Sequence, residues 1–83
     1  MYYVYVLYSK KLEKRYVGST ENVERRIDEH NRGKNRFTKG GMPWIKIHLE
    51  EYASRSEAMK REKYLKSGVG RKFLDSLVKL ETN

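Results

Sequence analysis

The 83-residue sequence has no cysteine and one proline, and no apolar run in it approaches the roughly 20 residues needed to span a bilayer. Without cysteine there is neither a disulfide nor a thiolate metal site, which suits a reducing cytosol. The opening Met1-Tyr2-Tyr3-Val4 lacks the charged and then apolar order of a signal peptide. The expectation is a cytoplasmic protein without a membrane partner. The two histidines, His30 and His48, do not make a histidine-rich metal site unaided. Glycine spacing of the Walker or Rossmann kind is missing, and Gly68-Val69-Gly70 alone is too weak a phosphate-binding signal. Serine, histidine and acidic residues occur, but no spacing recommends a nucleophilic triad. The length predicts a single domain over residues 1–83, near the lower limit for folding without staples.

Acid is scarce beside base. Nineteen Lys and Arg against eleven Asp and Glu give a net charge of +8, and the pI is near 9.8. So large an excess favours polyanionic partners through counterion release. The plainer alternative is a well-solvated surface, since 36% of the chain is charged. The excess is uneven, however. Residues 31–46 hold five basic side chains (Arg32, Lys34, Arg36, Lys39, Lys46) and no acidic one. This stretch predicts a flexible basic loop that grips phosphates through Arg32, Lys34, Arg36 and Lys39. Phe37 in the loop offers a ring for base stacking, while Trp44 reads as packing onto the core.

The local patterns place three strands and three helices. Residues 2–8 are almost wholly aromatic or β-branched, which is strand chemistry, with Val4, Val6 and Tyr8 on one side and Tyr3, Tyr5 and Leu7 on the other. A polar turn at Ser9 to Lys14 and a second strand, Arg15 to Ser19, close an antiparallel hairpin. Asn22 is an N-cap for a helix reaching about Arg32 and ending at Gly33. The stretch Trp44 to Leu49 alternates as a third strand. Ser54 with Glu57 forms a capping box for a helix from about Arg55 to Ser67, stopped by Gly68. Phe73, Leu74, Leu77 and Val78 repeat at helical spacing over Lys72 to Leu80. The order β-β-α-β-α-α predicts an α+β fold, a three-stranded sheet covered by helices.

Tyrosine is the unusual resource, with five of seven in the first sixteen residues. Most suit half-buried strands, ring inside and hydroxyl wet. Tyr5 and Tyr16, from paired strands, have the placement to converge beside the hairpin. A phenol acts as a general base only if its pKa falls from about 10, which needs cations or a metal nearby. The first helix puts Arg26 and His30 on one face, bordering an apolar stripe of Val23 and Ile27. Taken alone, Arg26 reads as an ordinary surface arginine. Glu62 is the sharpest anomaly, because it falls within the predicted buried stripe of Ala58, Met59 and Leu65. A carboxylate there meets a cation (Arg26 or a lysine), emerges into a cleft, or is protonated. A lone carboxylate in a cleft suits Mg²⁺, which keeps several waters.

In this order the segments Tyr3-Val4-Tyr5, Tyr16-Val17-Gly18, Asn22 to Arg26, His30 and Arg61-Glu62 resemble the GIY-YIG nuclease family over essentially the whole chain. The likeness is to small stand-alone members similar to the N-terminal domain of excision-repair nucleases. It implies a sheet of three antiparallel strands flanked by helices, and a site for metal-dependent phosphodiester hydrolysis of DNA, with Mg²⁺ or Mn²⁺ as cofactor. It also implies that Tyr5 and Tyr16 are the motif tyrosines, Arg26 and His30 catalytic residues, and Glu62 the metal ligand. Gly18 matches the second motif's glycine, whereas Tyr3 stands where the first motif has glycine. DNA is the expected partner, with RNA as the other polyanion such a surface would take. Low intrinsic sequence specificity is expected, or specificity lent by a protein partner. A non-catalytic nucleic-acid-binding module on the same fold is the alternative.

Overall fold

The computed structural model describes residues 1–82. Its order is β1 (Tyr2–Ser9), β2 (Lys14–Thr20), α1 (Val23–Asn31), a short 3₁₀ turn at Lys39–Gly41, β3 (Ile45–Tyr52), α2 (Arg55–Leu65) and α3 (Gly68–Thr82). The three strands form one antiparallel sheet in the order β2-β1-β3, so the apolar first strand is central and β2 is an edge. The α+β expectation holds.

The strand alternation read from residues 2–8 separates two cores, one on each face of β1. Val4 and Val6 pack with Val17, Ala58, Leu65 and Leu74 beneath α2 and α3. Tyr5 and Leu7 pack with Trp44, bordered by Tyr16, Ile27 and Met42 on the α1 side. A strand buried on both faces needs apolar residues at every position, which is why residues 2–8 carry so few polar groups.

Several details differ from the sequence reading. Gly68 does not stop α2; it opens α3, which therefore starts four residues earlier than Lys72. The second helix ends at Leu65, and the Ser67 hydroxyl accepts from the Gly70 amide at 3.3 Å, capping the third helix. A Cβ on Gly70 would collide with the Tyr64 carbonyl and the Leu65 backbone, so that glycine lets two helices approach closely. In β3 a bulge opposite Val6 and Leu7 breaks the alternation. The strand also runs on to Tyr52, leaving Trp44 buried just outside it. Finally, the capping pair at α2 is one-sided in backbone terms. Ser54 accepts from the Glu57 amide at 3.2 Å, while the two side chains bond each other at 3.0 Å.

Candidate active site

The hairpin register builds the floor. Tyr5 lies directly opposite Gly18 and Leu7 opposite Tyr16, so both motif tyrosines face the α1 side. Their ring centroids are 6.2 Å apart. A Cβ at position 18 would lie 2.5 Å from the Tyr5 hydroxyl and 3.1 Å from Cε1 of Tyr16. The glycine is required because the phenol fills the space a side chain would take.

Helix α1 supplies the wall. The Asn22 side chain accepts from the Arg25 amide at 3.1 Å and fixes where the helix starts. His30 is the one fully buried residue of this helix, deeper than the Val23–Ile27 stripe that predicted its inner face. Its Nε2 lies 3.1 Å from the Tyr5 hydroxyl, and its Nδ1 lies 2.7 Å from Thr38 Oγ1. Burial, and then the charge of Arg26, lower the His30 pKa, so the ring is neutral near pH 7, with one donor and one acceptor nitrogen. The Thr38 hydroxyl has the Asn35 carbonyl as its own acceptor at 3.5 Å. On that assignment Nδ1–H donates to Thr38 and Nε2 accepts from Tyr5.

The two phenols are not equivalent. Tyr5 is 1% exposed, and its burial, only partly offset by the Arg26 hydrogen bond, pushes its pKa up to about 12. Tyr16 is the more open of the pair. The Arg26 guanidinium is held charged by both, chiefly through its hydrogen bond to Tyr5. Its carboxylate neighbour Glu29 is looser, at 3.7 Å.

Glu62 approaches from the other face of the sheet. Tyr16 and Gly18 point toward α1, whereas Val17 and Ser19 point toward α2. The Ser19 hydroxyl donates to Glu62 Oε1 at 2.7 Å, and Lys66 Nζ donates to Oε2 at 2.7 Å. The carboxylate is 23% exposed rather than buried, and Met59 of its predicted stripe is 53% exposed. Glu62 therefore combines two of the three anticipated outcomes: it meets a lysine and it borders a cleft lined by Ser19, Thr20, Glu21, Arg55 and Met59. Its charge still reaches the Tyr5 phenol, which it pushes upward. Tyr5, Tyr16, Arg26 and His30 thus gather on the α1 face of the β1–β2 hairpin, and Glu62 stands on the opposite face.

Among the described residues, no group of three or more His, Asp or Glu side chains is arranged to hold a metal. A cation demanding a protein cage does not fit here. Glu62 is a lone carboxylate whose Oε2 is paired with Lys66, so a cation there would displace that lysine and take its other ligands from water or phosphate oxygens.

The basic loop is tied to the core at its ends and at Thr38. The Asn31 side chain accepts from the Trp44 amide at 2.6 Å and donates to the Trp44 carbonyl at 3.1 Å. The Trp44 indole donates to the Thr38 carbonyl at 2.6 Å. Trp44 is buried, as its sequence reading has it. Lys34, Arg36 and Lys39 are exposed, while Arg32 pairs with Asp28 at 2.9 Å. Ser19, Asn31 and Thr38 were not foreseen, because lone hydroxyls and amides in polar segments leave no periodic signal.

The GIY-YIG catalytic domain model matches residues 1–73. A UPF0213 protein of Natronomonas pharaonis is 46% identical over 67 residues, covering 80% of this chain and 78% of its own length. One from Staphylococcus haemolyticus is 42% identical over 67 residues, covering 80% of each. Among solved structures, the solution NMR structure of a UPF0213 protein from Bacillus halodurans superposes with a TM-score of 0.55. It has 36% identity and covers 93% of this chain and 85% of that one.

Proposed function

This chain belongs to the GIY-YIG family, and from that premise we propose that it is a divalent-metal-dependent endonuclease hydrolysing DNA phosphodiester bonds with low sequence specificity. The observation that carries the reading is that Tyr5 and Tyr16 close over the bare Gly18 while Arg26 and His30 meet the same two phenols. The buried Tyr5–His30 pair has a packing role of its own, but packing does not call for the more open Tyr16 phenol and the Arg26 guanidinium beside it.

The roles follow from exposure and charge. Water attacks the phosphorus in line, and Tyr16, the accessible phenol beside the Arg26 cation, receives the water proton or relays it. Tyr5 is too buried to meet substrate water. It donates to His30 and accepts from Arg26, aiming the guanidinium at the phosphate oxygens, whose developing charge Arg26 stabilises. Glu62 would hold Mg²⁺ or Mn²⁺, with Ser19 orienting the carboxylate from behind. A metal bound there would neutralise charge on the leaving oxygen. Lys34, Arg36 and Lys39 hold the DNA backbone.

Single-turnover cleavage of plasmid and oligonucleotide DNA by the parent and Arg26→Ala proteins tests this. The expected outcome is metal-dependent cutting by the parent and a loss of about a hundredfold or more in the variant. Equal cutting by both proteins contradicts the assignment. A second reading, a non-catalytic nucleic-acid-binding module, is favoured by Tyr3 at the first motif's glycine position and by Lys66 sitting on Glu62. Salt-sensitive DNA binding by a parent protein that cuts nothing would select it.

A further inference from the structure

The loop after α1 contains a feature that phosphate gripping does not use. Phe37 is 85% exposed, the most exposed large apolar side chain among the described residues. Its neighbour Thr38 is 1% exposed, fixed through its hydroxyl to His30 and through its carbonyl to the Trp44 indole. The Asn35 side chain accepts from the Phe37 amide at 2.9 Å. The Asn35 carbonyl accepts from the amides of Thr38 and Lys39 at 3.3 and 3.0 Å. Anchoring Thr38 inward turns Phe37 outward on a hydrogen-bonded turn. On either side of it in the chain stand Lys34, Arg36 and Lys39, all exposed and, among the described residues, without an ion-pair partner.

An exposed apolar ring between free cations matches a ligand that offers flat π faces and repeating negative charge together. A polynucleotide does so where its bases are unstacked; in an intact duplex those faces are covered by neighbouring base pairs. Resting on the nucleic-acid reading above, we propose that Phe37 is a stacking platform for an unpaired base. The protein then prefers single-stranded, gapped or looped substrate to uninterrupted duplex. The stacked base would sit one residue from Thr38, which holds His30, so the same turn that captures the strand also braces the Tyr5–His30 pair.

The test is fluorescence-anisotropy binding, in EDTA so that nothing is cut. The ligands are a labelled single-stranded oligonucleotide and the blunt duplex of the same length, titrated with the parent, Phe37→Ala and Phe37→Trp proteins. The prediction is about tenfold weaker single-strand binding for Phe37→Ala, parental or tighter binding for Phe37→Trp, and duplex affinity within about twofold throughout. Equal loss on both ligands, or no loss on the single strand, overturns the stacking role. Failure of the parent to bind either ligand overturns it too. A parallel cleavage assay in Mg²⁺ separates the two claims. Phe37-dependent binding without cutting sinks the nuclease and leaves the platform, whereas cutting with Phe37-independent binding does the reverse.

Discussion

The difference between the two motif tyrosines lies in their surroundings, because strand alternation gives both the same face. Tyr5 stands on the central strand opposite Gly18 and is sealed by His30; Tyr16 stands on the edge strand. Their removal should therefore have opposite signatures. Tyr16→Phe is expected to lower single-turnover cleavage by about a hundredfold or more, with the urea midpoint little changed. Tyr5→Phe leaves the buried His30 Nε2 without its donor. It should cost about 1–3 kcal/mol of stability by urea unfolding, and act on cleavage through misplacement of Arg26. Matching effects in both assays would dissolve the distinction. Gly18→Ala forces a methyl onto the Tyr5 hydroxyl. A loss of about 1–3 kcal/mol is expected from the same urea measurement, typical of overpacking, along with lost cutting.

At the scale of elements, the legible parts were those with a period or a cap. The alternating first strand, the Asn22 cap and the Ser54 cap were each readable, and each sits where its chemistry requires. What was not legible depends on two elements meeting. Gly68 looks like a helix stop because the close approach of α2 and α3 at Gly70 is invisible in either helix alone. Met59 looks buried by spacing, yet the face that α2 covers is narrow, and it holds Ala58 and Leu65 while leaving Met59 out. The resemblance singles out His30, but its place as the link between α1 and the basic loop depends on the fold. That link has a pH consequence. The folded-state pKa of His30 lies below its unfolded value, so the unfolded chain binds more protons in acid. Its contribution is full above about pH 6.5 and is lost as pH falls through the folded value. In His30→Gln, this part of the stability loss below about pH 6.5 should disappear from urea titrations.

At the scale of the molecule, a second charged cluster holds β3 to the helices. Glu50 accepts from Arg61 Nε and Nη2 at 2.8 and 3.1 Å, from the Tyr52 hydroxyl at 2.7 Å, and pairs with His48 Nε2 at 2.8 Å. Burial alone would raise its pKa, but these partners outweigh it and hold the carboxyl at about 2. Against an ordinary 4.5, that corresponds to about 3 kcal/mol. The contribution is present above about pH 4.5 and lost as pH falls toward 2, so acid unfolding of Glu50→Gln should lack that component. Because Arg61 precedes Glu62, the same clamp fixes the turn of α2 that carries the carboxylate to the cleft. The net charge of +8 acts at this scale as well. Replacing Lys34, Arg36 and Lys39 together should reduce the slope of log binding constant against log salt by about three. The most direct test of the central claim is cleavage by the parent and Glu62→Gln proteins in Mg²⁺, Mn²⁺ or EDTA. The account predicts metal-dependent cutting by the parent, abolished in the variant while DNA binding in EDTA persists. Equal cutting by the two proteins would contradict it.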